Sequence, residues 1–70
     1  MELMDIFIEN LKYYRKKEGY SQEKLAERSN LHRTYISLVE RKQRNITLKN
    51  IDKLAKALNV EPYQLLKENK

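Results

Sequence analysis

Cysteine is absent from this 70-residue chain, and histidine, glycine and proline each occur once. Without cysteine there is no disulfide framework, no thiolate zinc site and no cysteine nucleophile. A single histidine excludes His-rich metal sites and most Ser–His catalysis, and we expect no cofactor. The scarcity of glycine and proline excludes a loop-rich or collagen-like chain.

Long apolar runs are also missing. No run approaches the roughly 20 residues that a membrane span needs, and the N-terminal segment Met1–Asp5 lacks the basic start of a signal peptide. We therefore expect a cytoplasmic protein with no membrane partner. Hydrophobic residues make up 40% of the chain, which is too many for a disordered one. The length allows one domain, residues 1–70.

Positive charge predominates among the ionisable residues. Lysine and arginine number 15 against 10 acidic residues, which gives a net charge of +5. Such an excess favours a polyanionic partner. Catalysis has little support, because the serines have no neighbouring base and no paired-carboxylate, phosphate-loop or metal-ligand spacing occurs. We therefore predict a binding protein and not an enzyme.

Apolar residues recur every three or four positions nearly throughout, a spacing that is typical of helices and not of strands. The sequence thus predicts an all-α domain of five short helices, at about Asp5–Glu18, Gln22–Arg28, Arg33–Glu40, Leu48–Leu58 and from Pro62 onward. His32 is an alternative start for the third helix. The fourth helix is predicted to bury five apolar residues: Leu48, Ile51, Leu54, Ala55 and Leu58.

The segment from about residue 22 to residue 40 has the pattern of a helix-turn-helix. Two short helices flank Asn30, which tolerates the left-handed conformation of a sharp turn. Leu31, Ile36 and Val39 are placed to anchor the second of these helices to the rest of the domain. Anchoring of that kind leaves the opposite face free to enter a DNA groove.

Two stretches carry a family resemblance. The segment Tyr20–Arg41 resembles the helix-turn-helix regulators of the phage-repressor/Cro type, and Leu48–Leu58 resembles their fourth helix. More narrowly, His32-Arg-Thr-Tyr-Ile-Ser37 followed by Glu40-Arg-Lys-Gln-Arg-Asn-Ile-Thr-Leu48 is similar to restriction–modification controller proteins. The resemblance implies a lambda-repressor-like DNA-binding fold. Asn30 departs from the glycine usual in the turn, but it can adopt the same conformation.

The second helix of the motif supplies the predicted base contacts. Arg33 can grip guanine O6 and N7 with two hydrogen bonds. Thr34 offers a hydroxyl and a methyl group to a base edge, and Leu38 can pack on a thymine methyl. Tyr35 is expected either to place its ring against a sugar or base step with its hydroxyl near a phosphate, or to pack partly in the core. Ser37 is expected to bond a phosphate or base.

Phosphate contacts are expected around this reading face. The amide of Gln22, at a helix start, suits a phosphate oxygen. A clamp on the DNA backbone is predicted from four basic residues and one asparagine of the following loop and helix: Arg41, Lys42, Arg44, Asn45 and Lys49. Arg44 matches a controller-protein position that reaches the DNA. His32 is expected to be a cap or a phosphate neighbour.

Two further expectations concern assembly of the fold. The resemblance implies that Arg15 pairs internally with Glu40 and ties the first helix to the third. Relatives with five helices commonly dimerise through the last one, so Tyr63 and Leu66 are the predicted homodimer interface. The segment Met1–Met4 is a further candidate for that interface.

The favoured function is a sequence-specific transcription regulator that binds a palindromic operator as a dimer. Resemblance to controller proteins implies control of its own gene and of an endonuclease gene, with activation at low occupancy and repression at high occupancy. It also admits RNA polymerase as a partner. A phage-type repressor and an antitoxin-like protein-binding module are the alternatives that the sequence leaves open.

Overall fold

Capping residues divide the chain into helices at nearly the positions that the sequence predicts. The structure is a computed structural model that describes residues 2–68, and these residues form five helices and no strand, as predicted. The helices are α1 (Leu3–Lys17), α2 (Gln22–Ser29), α3 (Arg33–Glu40), α4 (Leu48–Leu58) and α5 (Pro62–Leu66). Met1, as an interface candidate, lies outside the described residues.

Side-chain caps and left-handed residues fix the helix ends. Ser21 Oγ accepts a hydrogen bond from the Lys24 amide at 3.0 Å, and Thr47 Oγ1 accepts one from the Asn50 amide at 3.1 Å. Each cap satisfies an N–H group that the first helical turn leaves unpaired. Helix α2 ends at Asn30, whose φ of 60° is left-handed. The turn therefore keeps its usual backbone geometry without glycine.

Helix α1 differs slightly from its predicted bounds, beginning at Leu3 instead of Asp5 and ending at Lys17 instead of Glu18. The regularly spaced apolar residues of this helix begin only at Met4, so their spacing did not indicate that the helix starts at Leu3. Beyond the helix, Gly19 has a φ of +74°, which suits glycine. None of the helices in residues 2–68 is long and apolar enough to cross a bilayer.

The core is formed by side chains from all five helices. Helix α1 packs on α3 and α5, and α2 packs on α3 and α4. The largest fully buried side chains are Phe7, Leu11, Leu25, Ile36, Val39, Leu54, Leu58 and Leu65. Burial of side chains of this size contributes about 2 kcal/mol each to stability. Helix α5 is short, and its buried Leu65 holds it against α1.

Leu48 does not belong to this core, so its predicted burial is wrong. Its side chain is 82% exposed, whereas Ile51, Leu54, Ala55 and Leu58 of the same helix are buried as predicted. Leu48 is the first residue of α4, and side chains at that point tilt toward the N-terminus of the helix. It therefore projects past the neighbouring helices instead of between them.

A buried asparagine that the apolar pattern did not predict ties the two ends of the described chain together. Asn10 Nδ2 donates to the carbonyl oxygens of Leu65 at 3.0 Å and Lys67 at 2.7 Å. These bonds satisfy carbonyl groups that the end of α5 leaves without helical partners. Its position on the apolar face of α1, between Phe7 and Leu11, was the available signal.

Candidate nucleic-acid interface

The helix-turn-helix is held by the turn and by one side of α3. The Leu31 amide donates to the Ala26 carbonyl at 3.0 Å, which closes the left-handed turn at Asn30. Ile36 and Val39 are each only 1% exposed, and Leu31 is half-buried against the core. These contacts fix the orientation of α3, so its opposite edge is presented as a rigid surface.

That opposite edge carries the predicted base-reading residues. Arg33 and Thr34 are exposed in the first turn of α3, and Arg41 is exposed just beyond its end. Ser37 and Leu38 are half-buried, so they present a hydroxyl and an apolar edge closer to the body. No segment of residues 2–68 covers Arg33 or Thr34. The structure therefore leaves these side chains free to meet another molecule.

Beneath this surface lies a buried ion pair between α1 and α3. Arg15 Nε donates to Glu40 Oε2 at 2.8 Å and Arg15 Nη2 donates to Oε1 at 3.1 Å, so the contact is bidentate. The Arg15 side chain is 12% exposed and that of Glu40 only 3%. Arg15 Nη1 also donates to the Tyr20 carbonyl at 3.0 Å. The pairing of Arg15 with Glu40 is thus present, and it locks α3 to α1.

Gln22 joins the same network. Its Nε2 donates to Glu40 Oε1 at 2.9 Å, and the residue is half-buried at the first position of α2. In this conformation its amide is committed to the carboxylate and not directed at solvent. A phosphate contact at this helix start would therefore use the free backbone N–H groups of α2, or would require the amide to leave Glu40.

The loop between α3 and α4 supplies exposed cations and a polar side chain. Arg41, Arg44 and Asn45 are all exposed there, and Lys49 is exposed at the start of α4. Their exposure leaves them free to form the predicted backbone clamp, which stays a prediction, and a clamp of cations would give DNA affinity a steep salt dependence.

Lys42 does not fit the predicted clamp in this conformation. Its Nζ lies 2.9 Å from Glu2 Oε1 and 3.0 Å from Asp5 Oδ1, at the beginning of α1. Hydrogen bonds to Glu2 and then to Asp5 raise the pKa of Lys42 above its ordinary value. Lys42 has a left-handed backbone, with a φ of 60°, and its side chain pairs with carboxylates at the start of α1. Its role here is to join the loop to α1.

Tyr35 connects α3 to the loop and to α4. Asn50 Nδ2 donates to its hydroxyl oxygen at 3.0 Å, and the hydroxyl donates to the Asn45 carbonyl at 3.4 Å. The Arg44 guanidinium carbon lies 5.7 Å from the centre of the Tyr35 ring, within cation–π range. Helical periodicity does not predict this contact of Asn50. Its place three residues after the cap Thr47 was the only available signal.

A groove runs along α3, beside the contacts that Tyr35 makes with Arg44 and Asn50. Its lining residues come from the turn, α3, the loop and α4: Asn30, Leu31, His32, Thr34, Tyr35, Leu38, Arg44 and Asn50. His32 occupies the N-cap position of α3, but its side chain makes no capping hydrogen bond. The groove thus brings predicted base-reading residues of α3 beside the cation of the loop.

A second, apolar groove lies where α1, α4 and α5 meet. Its lining is mostly hydrophobic: Leu3, Met4, Phe7, Asn45, Ile46, Leu48, Ile51 and Leu66. Leu3 is 59% exposed and Tyr63, one turn before Leu66 on α5, is 64% exposed. Of the two predicted interface residues, Leu66 lines the groove, and Tyr63 is exposed one turn away on the same helix.

Comparison with known proteins points to one family. A family model described as helix-turn-helix matches residues 11–65. The control protein C.SmaI of Serratia marcescens is 53% identical over 66 residues, which are 94% of this chain and 79% of that protein. The control protein C.BamHI of Bacillus amyloliquefaciens is 58% identical over 50 residues, 71% of this chain. This chain covers 62% of C.BamHI, less than two thirds of its length.

Solved structures agree with these relatives. The restriction–modification controller protein C.AhdI of Aeromonas hydrophila is 48% identical and superposes with a TM-score of 0.84, covering 89% of this chain and 94% of that one. C.Esp1396I bound to a 19 base pair DNA duplex is 38% identical with a TM-score of 0.85, covering 93% of this chain and 87% of that one.

Proposed function

This chain belongs to the helix-turn-helix family of DNA-binding transcription regulators, and we propose that it works as a restriction–modification controller protein. It binds an operator in duplex DNA, with α3 in the major groove. The observation that carries this proposal is the division of α3 into two sides. Ile36 and Val39 are buried, while Arg33 and Thr34 are exposed at the end that enters a groove first.

Roles follow from the position of each side chain. Arg33 donates to a guanine through two hydrogen bonds, Thr34 contacts an adjacent base edge, and Leu38 packs on a thymine methyl group. Ser37, Tyr35 and Gln22 lie at the border between base and phosphate contacts. Three residues of the loop bind the backbone on one side of the groove: Arg41, Arg44 and Asn45.

We infer that the regulator acts as a homodimer through its apolar groove. Leu66, Leu48 and Leu3 line this apolar groove, and the ring of Tyr63, one turn from Leu66 on α5, is exposed. A second copy placed here removes these side chains from water, and that burial supplements the small core of one chain. Two copies related by a two-fold axis read the two halves of an inverted repeat, about 34 Å apart.

The regulated genes are inferred from the similarity to controller proteins. We propose that the operator lies upstream of the chain's own gene and of an endonuclease gene. Low occupancy then activates transcription, with RNA polymerase as a partner, and high occupancy represses it. Such a regulator works where the genes are, which for a bacterial protein is the cytoplasm.

Selection from a random-sequence DNA library, followed by footprinting of the selected duplex, tests this function. An inverted repeat protected on both halves is the expected result. Recovery of unrelated sequences after several rounds of selection, with no protected site, would overturn the proposal. The chain carrying both Arg33→Ala and Thr34→Ala is the control and should enrich no common site.

A further inference from the structure

The hydroxyl group of Tyr35 makes two contacts within the protein. It accepts from Asn50 Nδ2 at 3.0 Å and donates its one hydrogen to the Asn45 carbonyl at 3.4 Å. The contact from Asn50 is of ordinary hydrogen-bond length, whereas the contact to Asn45 is longer than usual for an O–H donor and is exposed, so the hydroxyl can still turn to a DNA phosphate. Asn50 is therefore the contact that fixes the position of the ring.

The fixed ring in turn faces an arginine. Arg44 is exposed on the loop, and its guanidinium carbon lies 5.7 Å from the centre of the Tyr35 ring. An unsupported arginine samples many rotamers and loses that freedom when it binds. A guanidinium that already rests on an aromatic face loses less, so the ring pre-orients Arg44 beside the groove that α3 borders.

Asn50 is itself held at both its backbone and its side chain. Its amide N–H donates to Thr47 Oγ1 at 3.1 Å, which places the residue in the first turn of α4. Its side chain then reaches back to Tyr35 across the loop. Asn50, at the start of α4, thus sets the position of the Tyr35 ring. The ring in turn sets the position of the Arg44 guanidinium.

We propose that Asn50 is a positioning residue for DNA recognition, acting through Tyr35 to hold Arg44 in its DNA-contacting orientation. Asn50 itself need not touch DNA. The proposal rests on the function proposed above, and it goes beyond it because it gives Tyr35 a second role, as the support of Arg44, in addition to its place at the border between base and phosphate contacts.

Nuclear magnetic resonance of the free chain tests the support without DNA. In the parent chain, the Arg44 side-chain protons should be shifted upfield by the Tyr35 ring. That shift should disappear in Tyr35→Leu and be reduced in Asn50→Ala, which retains the ring and the backbone cap to Thr47. Arg44 resonances at random-coil positions in the parent, or unmoved by Asn50→Ala, would overturn the proposal.

Binding to the selected duplex tests the consequence for recognition. Asn50→Ala should weaken binding by about three- to tenfold with Arg44 present, and by less than about twofold in the Arg44→Ala background. Tyr35→Phe, which keeps the ring and removes the hydroxyl, should lose at least as much affinity as Asn50→Ala, because it removes both the contact with Asn50 and the hydroxyl itself. An equal loss in both Arg44 backgrounds, or tighter binding by Asn50→Ala, would contradict the positioning role.

Two controls separate the outcomes. Gln43→Ala removes an exposed amide next to Arg44 in the same loop and should bind as the parent does. Thermal unfolding by circular dichroism should show Asn50→Ala fully folded at the assay temperature. If the parent chain shows no sequence preference, the proposed function fails. The magnetic resonance result then still decides whether Asn50 and Tyr35 position Arg44.

Discussion

At the scale of single residues, recognition and stability are assigned to different sides of the same helix. Arg33 and Thr34 are exposed on α3, while Glu40 at its far end is buried and accepts hydrogen bonds from Arg15 and Gln22. An exposed arginine can be replaced with little effect on folding, whereas a buried carboxylate cannot lose its partner cheaply. Substitutions at the two sites should therefore affect different measurements.

Replacement of Arg33 by alanine should reduce sequence discrimination without unfolding the chain. A bidentate arginine–guanine contact contributes about 1–3 kcal/mol to discrimination, so preference at one guanine in each half-site should fall about ten- to a hundredfold. Competition binding with duplexes substituted at each position measures this loss. Equal discrimination at every position by Arg33→Ala and the parent would remove Arg33 from base reading.

Replacement of Arg15 by methionine should instead lower the free energy of unfolding, by about 3 kcal/mol, because it leaves the Glu40 carboxylate buried without its cation. Chemical denaturation measures the change. The double variant Arg15→Met, Glu40→Leu should recover much of the lost stability, since it removes the buried charge as well. A single variant as stable as the parent would show that the pair does not hold α1 to α3.

Single residues also mark the limit of what the sequence could predict. The pairing of Arg15 with Glu40 came from the family resemblance, because nothing in the local pattern joins residues 25 positions apart. The engagement of Gln22 by Glu40 and of Tyr35 by Asn50 was not foreseen. Both depend on how helices meet in three dimensions, and helical periodicity carries no information about that.

At the scale of helices and turns, local chemistry determines where each element begins and ends. Ser21 and Thr47 cap α2 and α4, and left-handed asparagines end both helices. Signals of this kind lie within four residues of a helix end, so they can be recognised in the sequence. The bounds of α2, α3 and α4 were predicted to within about one residue. The burial of Leu48 was mispredicted because periodicity alone does not tell how far a neighbouring helix extends.

The turn of the helix-turn-helix offers a direct test at this scale. Asn30→Ala should destabilise the chain by about 1 kcal/mol, because alanine adopts the left-handed conformation less readily than asparagine. Asn30→Gly should be as stable as the parent or slightly more so. Thermal unfolding of the three chains measures the order, and an alanine variant equal to the glycine variant would contradict the requirement for a left-handed turn.

At the scale of the whole molecule, a small domain presents two surfaces with different chemistry. One carries exposed cations and polar groups around α3, and the other is the apolar groove that Leu3, Leu48 and Leu66 border. The net charge of +5 favours a polyanion at the first surface. The second has no charged lining residue, and it is the surface at which a second copy of the chain is proposed to bind.

Disruption of the apolar groove should separate the two copies. Leu66→Asp and Tyr63→Asp each place a charge in the proposed interface, so both should sediment as monomers at concentrations where the parent is a dimer. Tyr13→Asp is the matched control, because Tyr13 is exposed on α1 more than one turn from the groove-lining residues of that helix, whereas Tyr63 is one turn from Leu66. Since Tyr63 is largely exposed, its variant should fold, and an unchanged dimer would exclude this surface.

The central claim is that the exposed edge of α3 reads DNA sequence, and equilibrium competition tests it most directly. The selected duplex and a scrambled duplex of equal length are compared at physiological salt. We expect the selected duplex to bind at least about a thousandfold more tightly, with most of that ratio lost in Arg33→Ala. Equal affinity of the parent chain for the two duplexes would contradict the account.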